Sequence, residues 1–492
     1  MSTLITIAEE QRQPLLLDPS PDGNEEEIAA SSSSNGPDAP KLTLDDSNQR
    51  LLSLDVFRGL TVALMILVDD AGGAFPSINH APWFGVTIAD FVMPFFLFCV
   101  GVSISLVFKK SSSKTLATKK VILRTIKLFL LGLFLQGGYF HGRDNLTYGV
   151  DVVKIRWLGV LQRISIGYLL ASISEIWLVY NVVVDCPTAF VRKYHVQWIV
   201  AALLLSFYMC LLYGLYVPNW EFQAPSLNLS TNGSHTQIVH CGVRGSLEPP
   251  CNAVGYIDQY FLGEQHLYQR PVYRRTKECS VNSPDYGPLP PDSPEWCLAP
   301  FDPEGILSSL MAVLTCFVGL HFGHVLLHYK GQMQRALLWS MSSFLLLVSG
   351  FGLEMLVCFV QLMAGRCNRH SSLQTTVHIE LYVHHCWSIR LVLNHYLLHN
   401  VKHFRKPVVL LQWMGMNALI VYALAACDIF PAAVQGFYWR SPENNLVDGM
   451  ESLLQAMLHS SKWGTLVFVL LQILFWCLVA GFLHMKGIYI KL

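Results

Sequence analysis

Nine runs of about twenty apolar residues leave this chain few folds to choose from. They fall at roughly 55–73, 86–108, 121–138, 156–180, 196–216, 305–327, 337–358, 407–427 and 463–485. A run of that length crosses the hydrocarbon core of a bilayer as an α-helix, because a helix satisfies its own backbone where no water can. Hydrophobic residues make up 52% of the 492, charged ones only 14%, and the mean hydropathy is +0.39. The expected fold is therefore all-α, a polytopic transmembrane helical bundle. Formal net charge is zero, so membrane lipid rather than nucleic acid is the indicated partner.

Basic residues in the short connections set the orientation. Lys109, Lys110, Lys114, Lys119 and Lys120 mark one cytosolic turn; Arg192 with Lys193, Lys330 with Arg335, and Lys402 with Arg405 and Lys406 mark others. Lys486 and Lys491 place the C-terminus on the same side. The opposite connections then face a lumen, and they carry the glycosylation sequons at Asn145, Asn228 and Asn232. The long hydrophilic loop 217–304 holds Cys241, Cys251, Cys279 and Cys297, without CxxC or Cys/His metal spacing. Disulfides are expected there, and no metal site.

A cytosolic start and end require an even number of crossings, so about ten spans are expected. The missing one falls in 359–400, an aberrant segment with Arg366, Arg369, Glu380, Arg390 and many histidines. Its stretch HIELYVHHCWSIR can be encoded so that a one-nucleotide shift reads ILSYMCITAGASG, which points to a frame or exon error; a genuine divergent segment is the alternative. Residues 1–49, rich in Ser, Pro, Asp and Glu, read as a disordered cytosolic tail ahead of the membrane domain 50–492. The tail has no cleavable-signal pattern, and Glu9, Glu10 and Pro14 to Leu17 resemble an acidic dileucine sorting signal. That favours a vacuolar or lysosomal membrane over the plasma membrane.

Ionisable residues at membrane depth are costly and read as functional by default. Asp69 and Asp70 end the first run, Asp90 lies one turn into the second, and His80 sits on the luminal link between them. The blander reading is solvated loop residues or interhelical hydrogen bonds. Pro94 is expected to bend the second helix. Arg163 in the fourth span needs an anion, and Asp90 is one candidate. Asp55 and Arg58, at an i,i+3 spacing, read as a structural pair. His321, His324 and His328 share one helix face near the cytosol; with no carboxylate or cysteine nearby, an interfacial face is expected rather than a metal site. On residues alone, a permease or flippase with proton-coupling Asp and His is the alternative to an enzyme, although no internal repeat is evident.

The motifs SLDVFRG, DDAGG and NHAPWFGVTIADFVMPFFLF, with RWLGVLQR from Arg156 to Arg163, carry a resemblance. So do GYIDQYFLGEQHLYQRP from Gly255 to Pro271, FDPEGIL from Phe301 to Leu307, and Gly415-Met416-Asn417. Together these resemble the heparan-α-glucosaminide N-acetyltransferase family, most closely its shorter plant members, over about residues 50–355 and 401–492. Members of that family move an acetyl group from cytosolic acetyl-CoA to an amino sugar in the lysosomal lumen.

The resemblance implies acetyl-CoA as co-substrate and a glucosamine-like amine as acceptor. It implies His80 as the catalytic histidine, either deprotonating the amine or carrying the acetyl group itself. Asp90 is the residue expected to orient it. Asp69 stands where the family often has Asn, so it is an acceptor of hydrogen bonds where a donor is usual. Asp69, Arg163 and Asn417 are the expected cofactor-binding residues, Arg163 through a coenzyme phosphate. Asn79 and Trp83 are expected to line the acceptor pocket. The family's animal members carry an additional luminal domain at the start where this chain has its 49-residue tail, and a homodimer is left open.

Overall fold

The structure, a computed structural model, describes residues 52–108, 113–136, 139–142, 145–148, 155–180, 182–184, 186–224, 235–363, 405–426, 429–441 and 443–489. The tail 1–49, its sorting motif, and the sequons at Asn228 and Asn232 lie outside these residues, as does the 359–400 segment beyond Met363.

Helices cover all nine apolar runs. They are α1 (Leu52–Ala71), α2 (Ile88–Phe108), α3 (Lys114–Gln136), α4 (Val160–Trp177) and α5 (Pro187–Gly214). After the hydrophilic loop, which contains α6 (Ala253–Leu262), come α7 (Ile306–His328), α8 (Gln332–Met363) and α9 (Arg405–Met416). The short α10 (Ala418–Val421), α11 (Ile429–Gln435) and α12 (Leu446–Met457) precede α13 (Ser461–Met485). By length and composition four of these can cross a membrane: α2, α5, α7 and α13. A fifth follows if the pair Val408–Met416 and Ala418–Ala425, bent by 82°, forms one broken span. Ten crossings are thus more than the described helices establish. Part of the shortfall has a cause: α1 carries Asp55, Arg58, Asp69 and Asp70, and α3 carries Lys114, Lys119, Lys120, Arg124 and Lys127. Helices with that charge qualify only where neighbours or the interface take up the ionised groups.

α7 is the central helix, with 67% of its most apolar stretch buried against 11% for the peripheral α5. Its contact with α2 depends on small residues. A Cβ on Gly101 would lie 2.2 Å from the Cys316 carbonyl oxygen, and one on Gly319 would lie 2.3 Å from that of Phe98. In lipid, where apolar surface alone gives helices no reason to associate, such close backbone approach supplies the packing. α1 and α9 meet in the same way at Gly59 and Gly415, which brings the SLDVFRG motif against Gly-Met-Asn. Arg58 pairs with Asp55 at 3.3 Å, as expected, and also donates to Ser103 Oγ on α2 at 3.0 Å.

The histidine face of α7 departs from its expected interfacial position. His324 is 1% exposed, and its Nε2 lies 2.9 Å from Oε2 of Glu175 on α4. Gln197 Nε2 donates to the same carboxylate at 2.9 Å, while Tyr194 stacks on the His324 ring at 3.8 Å. His328 bonds the Tyr194 hydroxyl, and His321 bonds Ser342 on α8. The carboxylate that is absent near these histidines in sequence comes from a helix 149 residues earlier.

The hydrophilic loop forms a layer of short pieces. β3 (Tyr216–Val217) pairs antiparallel with β6 (Val243–Arg244), and β4 (Trp220–Ala224) with β5 (His235–Val239). β1 (Tyr139–Gly142) and β2 (Asn145–Tyr148) form a separate hairpin that contains the Asn145 sequon. The expected disulfides are present as Cys241–Cys251 and Cys279–Cys297. They tie together segments with little apolar core of their own.

Candidate active site

The site begins at the start of α2. Thr87 is the last residue before the helix, and its N–H and Oγ1 both donate to Asp90 Oδ2, at 3.0 and 3.1 Å. A side chain three residues into a helix that reaches back to the preceding N–H is one half of a capping box. The second carboxylate oxygen is left facing the link, where Oδ1 lies 2.8 Å from His80 Nδ1. Because an ionised carboxylate only accepts, Nδ1 carries the proton and Nε2 is the ring nitrogen able to take one up.

Half of the His80 side chain is open to solvent, 50% against 18% for Asp90. Burial of the rest is the largest single influence on its pKa and would lower it. The hydrogen bond and charge of Asp90, with the charges of Asp69 and Glu304, outweigh that, so the pKa lies above the ordinary 6.5. Asp69 and Asp70 are exposed at the end of α1. The mouth of the bundle around the histidine is thus acidic, a setting that attracts an ammonium group.

Arg163 is on α4 with its Nε buried and, among the described residues, without a hydrogen-bond partner. Among the described residues no ion pair joins it to Asp90. Asn417 is 1% exposed at the break between α9 and α10. Its Nδ2 donates to the Ala480 carbonyl on α13 at 3.4 Å, and among the described residues its buried Oδ1 has no hydrogen-bond partner. Each is a polar atom available to a ligand inside the bundle. Asn79 and Trp83 are engaged by the hydrophilic loop: Asn79 Oδ1 accepts from the His80 N–H at 2.8 Å and from Arg275 Nη1 at 3.2 Å. The Trp83 indole N–H donates to the Leu247 carbonyl at 2.9 Å, and its ring packs on Tyr273 and Phe301.

Behind the link a second cluster joins three motifs that are far apart in sequence. Arg156 bonds both Asp302 and Glu304, and its guanidinium lies over the Tyr268 ring at 5.0 Å. Asp258 is buried and accepts from the Ile306 N–H at 2.7 Å, capping α7. A Cβ at Gly305 would lie 1.7 Å from the Asp258 carboxylate, so only glycine leaves room for this cap. Burial, and then the nearby negative charge of Asp302, push the Asp258 carboxyl up to about 7 despite that N–H. Glu304 and Arg275 were not legible as site residues. Glu304 lies within a quoted motif, but only the action of its charge on His80 gives it a role; Arg275 lies in no motif.

Fold and site together define a helical membrane protein with a carboxylate-oriented histidine at one end of the bundle. Residues 50–220 match the family described as heparan-alpha-glucosaminide N-acetyltransferase, catalytic. The matched segment contains His80, Asp90 and Arg163. The mouse heparan-alpha-glucosaminide N-acetyltransferase is 29% identical over 306 residues, covering 59% of this chain and 41% of the relative. The human protein of that name is 29% identical over 297 residues, covering 58% and 39%. The chain thus spans about two-fifths of the length of the curated relatives it matches.

Proposed function

We propose that the chain is a transmembrane N-acetyltransferase that moves acetyl from cytosolic acetyl-CoA to a luminal amine of amino-sugar type. The observation that carries the proposal is the His80–Asp90 pair, 2.8 Å apart at the acidic mouth and inside the family-matched segment. Asp69, Asp70 and Glu304 would attract the acceptor as its ammonium form. His80 Nε2 takes the proton from that nitrogen, which then forms its bond to the thioester carbonyl carbon as the carbon–sulfur bond breaks. The second proton leaves the nitrogen as the amide forms and passes to the departing thiolate, and His80 releases the first to solvent. The route through acetylated His80 uses the same Nε2, and both need Asp90 to hold the ring. The buried orphan Nε of Arg163 supports a role toward a coenzyme phosphate, and the orphan Oδ1 of Asn417 suits a donor on the cofactor. The vacuolar or lysosomal membrane remains the proposed location.

The test is labelled acetyl-CoA supplied outside sealed vesicles that carry the protein, with glucosamine inside. Label should appear on luminal amine and fall by about 10²–10⁴-fold in His80→Ala, the usual contribution of a general base. Label trapped on His80 itself, found by mass spectrometry, would select the acetyl-histidine route. A second reading is a proton-coupled permease, favoured by the buried Glu175–His324 pair. Amine movement without acetylation, abolished by Glu175→Gln and indifferent to His80→Ala, would favour it and rule out the enzyme.

A further inference from the structure

The link that carries His80 has no regular structure between α1 and α2. Phe75 packs on Trp463 of α13 at 5.8 Å, and nearer the histidine two holds come from the hydrophilic loop, each from inside or against one disulfide ring. Leu247, whose carbonyl takes the Trp83 indole proton, lies within the ring closed by Cys241–Cys251. Pro284 and Tyr286 lie within the ring closed by Cys279–Cys297. The Pro284 carbonyl accepts from Arg275 Nε at 2.9 Å, the Tyr286 ring lies against the guanidinium at 5.7 Å, and Ser283 Oγ donates to the Arg275 carbonyl. Arg275 is 3% exposed, and Nη1 points to Asn79 Oδ1 across 196 residues of sequence. Asn79 in turn takes the backbone N–H of His80 and packs against Gly72, where a Cβ would approach its side chain to 3.2 Å.

We propose that Arg275 is a positioning residue for His80, and that the two disulfide rings form a clamp fixing the link so that the imidazole reaches Asp90. The physical case is one of entropy. A free link of this length samples many conformations, and the single 2.8 Å bond to a half-exposed ring cannot select one of them alone. A buried guanidinium with three fixed directions of contact does so at the residue next to the histidine, and the indole hydrogen bond does so three residues on. Neither Arg275 nor Trp83 touches the reacting atoms. Their role in turnover rests on the reading of His80 as the proton-handling group, but their effect on the ring does not.

The ring can be followed without acetyl transfer. Carbethoxylation of His80 in the full-length protein, read by mass spectrometry across pH, reports when the imidazole becomes neutral. Arg275→Gln, Trp83→Phe and the double variant Cys241→Ser/Cys251→Ser should each move that profile to lower pH, as Asp90→Asn does. Arg275→Lys should restore part of the shift. In the vesicle assay kcat should fall on the order of 10²-fold with KM little changed, as expected for a displaced catalytic group. Trp83→Phe keeps an aromatic ring against Tyr273 and Phe301 while removing the indole N–H and part of the ring volume, so it remains informative where Arg275→Gln or the cysteine variant does not accumulate. An unmoved profile in Arg275→Gln and Trp83→Phe, alongside a moved one in Asp90→Asn, would overturn the clamp. Moved profiles with no acetyl transfer by the unmodified protein would sink the enzyme reading and leave the clamp standing.

Discussion

His80 gains its character from a residue ten positions later. Its pKa lies above 6.5, so as a base it is silent at low pH and gains function as pH rises through that raised value. The rate of acetyl transfer should therefore climb with pH, with a midpoint above 6.5 that moves down in Asp90→Asn, where the rate also drops about 10²-fold. The linkage to stability runs the other way: the pair contributes fully below 6.5, and that contribution is lost as pH rises through the folded-state value. Asp258 obeys the same sign for a different reason, since its carboxyl is raised from 3.8 to about 7. The loop layer should lose thermal stability as pH rises across that window, and Asp258→Asn, which keeps the acceptor for Ile306, should flatten the loss. Calorimetry of the purified protein at several pH values checks this. The types of residue at His80 and Asp90 were readable from the chain, whereas the roles of Glu304 and Arg275 were not, because both depend on approach across roughly two hundred residues.

Helix packing here is decided by where a side chain is missing. Gly319→Val would drive a branched side chain into the Phe98 carbonyl of the central α2–α7 crossing, and backbone on both sides cannot withdraw cheaply. The expected cost is about 3 kcal/mol or more, at the upper end for overpacking, seen as a lower melting temperature in detergent. The π-helical turn at Tyr422–Ala426, after the break at Asn417, shows a span whose apolar run was legible but whose bend was not. The run 407–427 reads as one helix by composition; the buried Asn417, bonded to α13, sits where the direction changes. The histidines of α7 teach a related lesson. Their shared face is visible in sequence, but whether lipid, water or Glu175 lies opposite depends on which helix packs there.

Across the whole molecule, the His80 link and the disulfide layer lie at one end of the bundle, joined through Trp83–Leu247 and Asn79–Arg275. In the proposed orientation, taken from the charge rule, both are luminal and the α7–α8 turn is cytosolic. In sealed vesicles of one orientation, a membrane-impermeant thiol reagent should label Tyr260→Cys and Ala81→Cys from the same side. Lys330→Cys should be labelled only from the other. Labelling of all three from one side would break the orientation on which a cytosolic donor and luminal acceptor depend.

By itself the sequence determined the class of fold and the helical segments, and it supplied the proposed sidedness of the connections and the proposed catalytic histidine. These follow from local composition, hydropathy and residue chemistry, which do not need partners to be known. Only the tertiary structure decided which cysteines pair, how Arg156 joins Asp302 and Glu304, how Asp258 caps α7 and what holds the His80 link. Those contacts join residues 10 to 196 positions apart, and such pairings are selected by the packing of the whole chain rather than by any stretch of it.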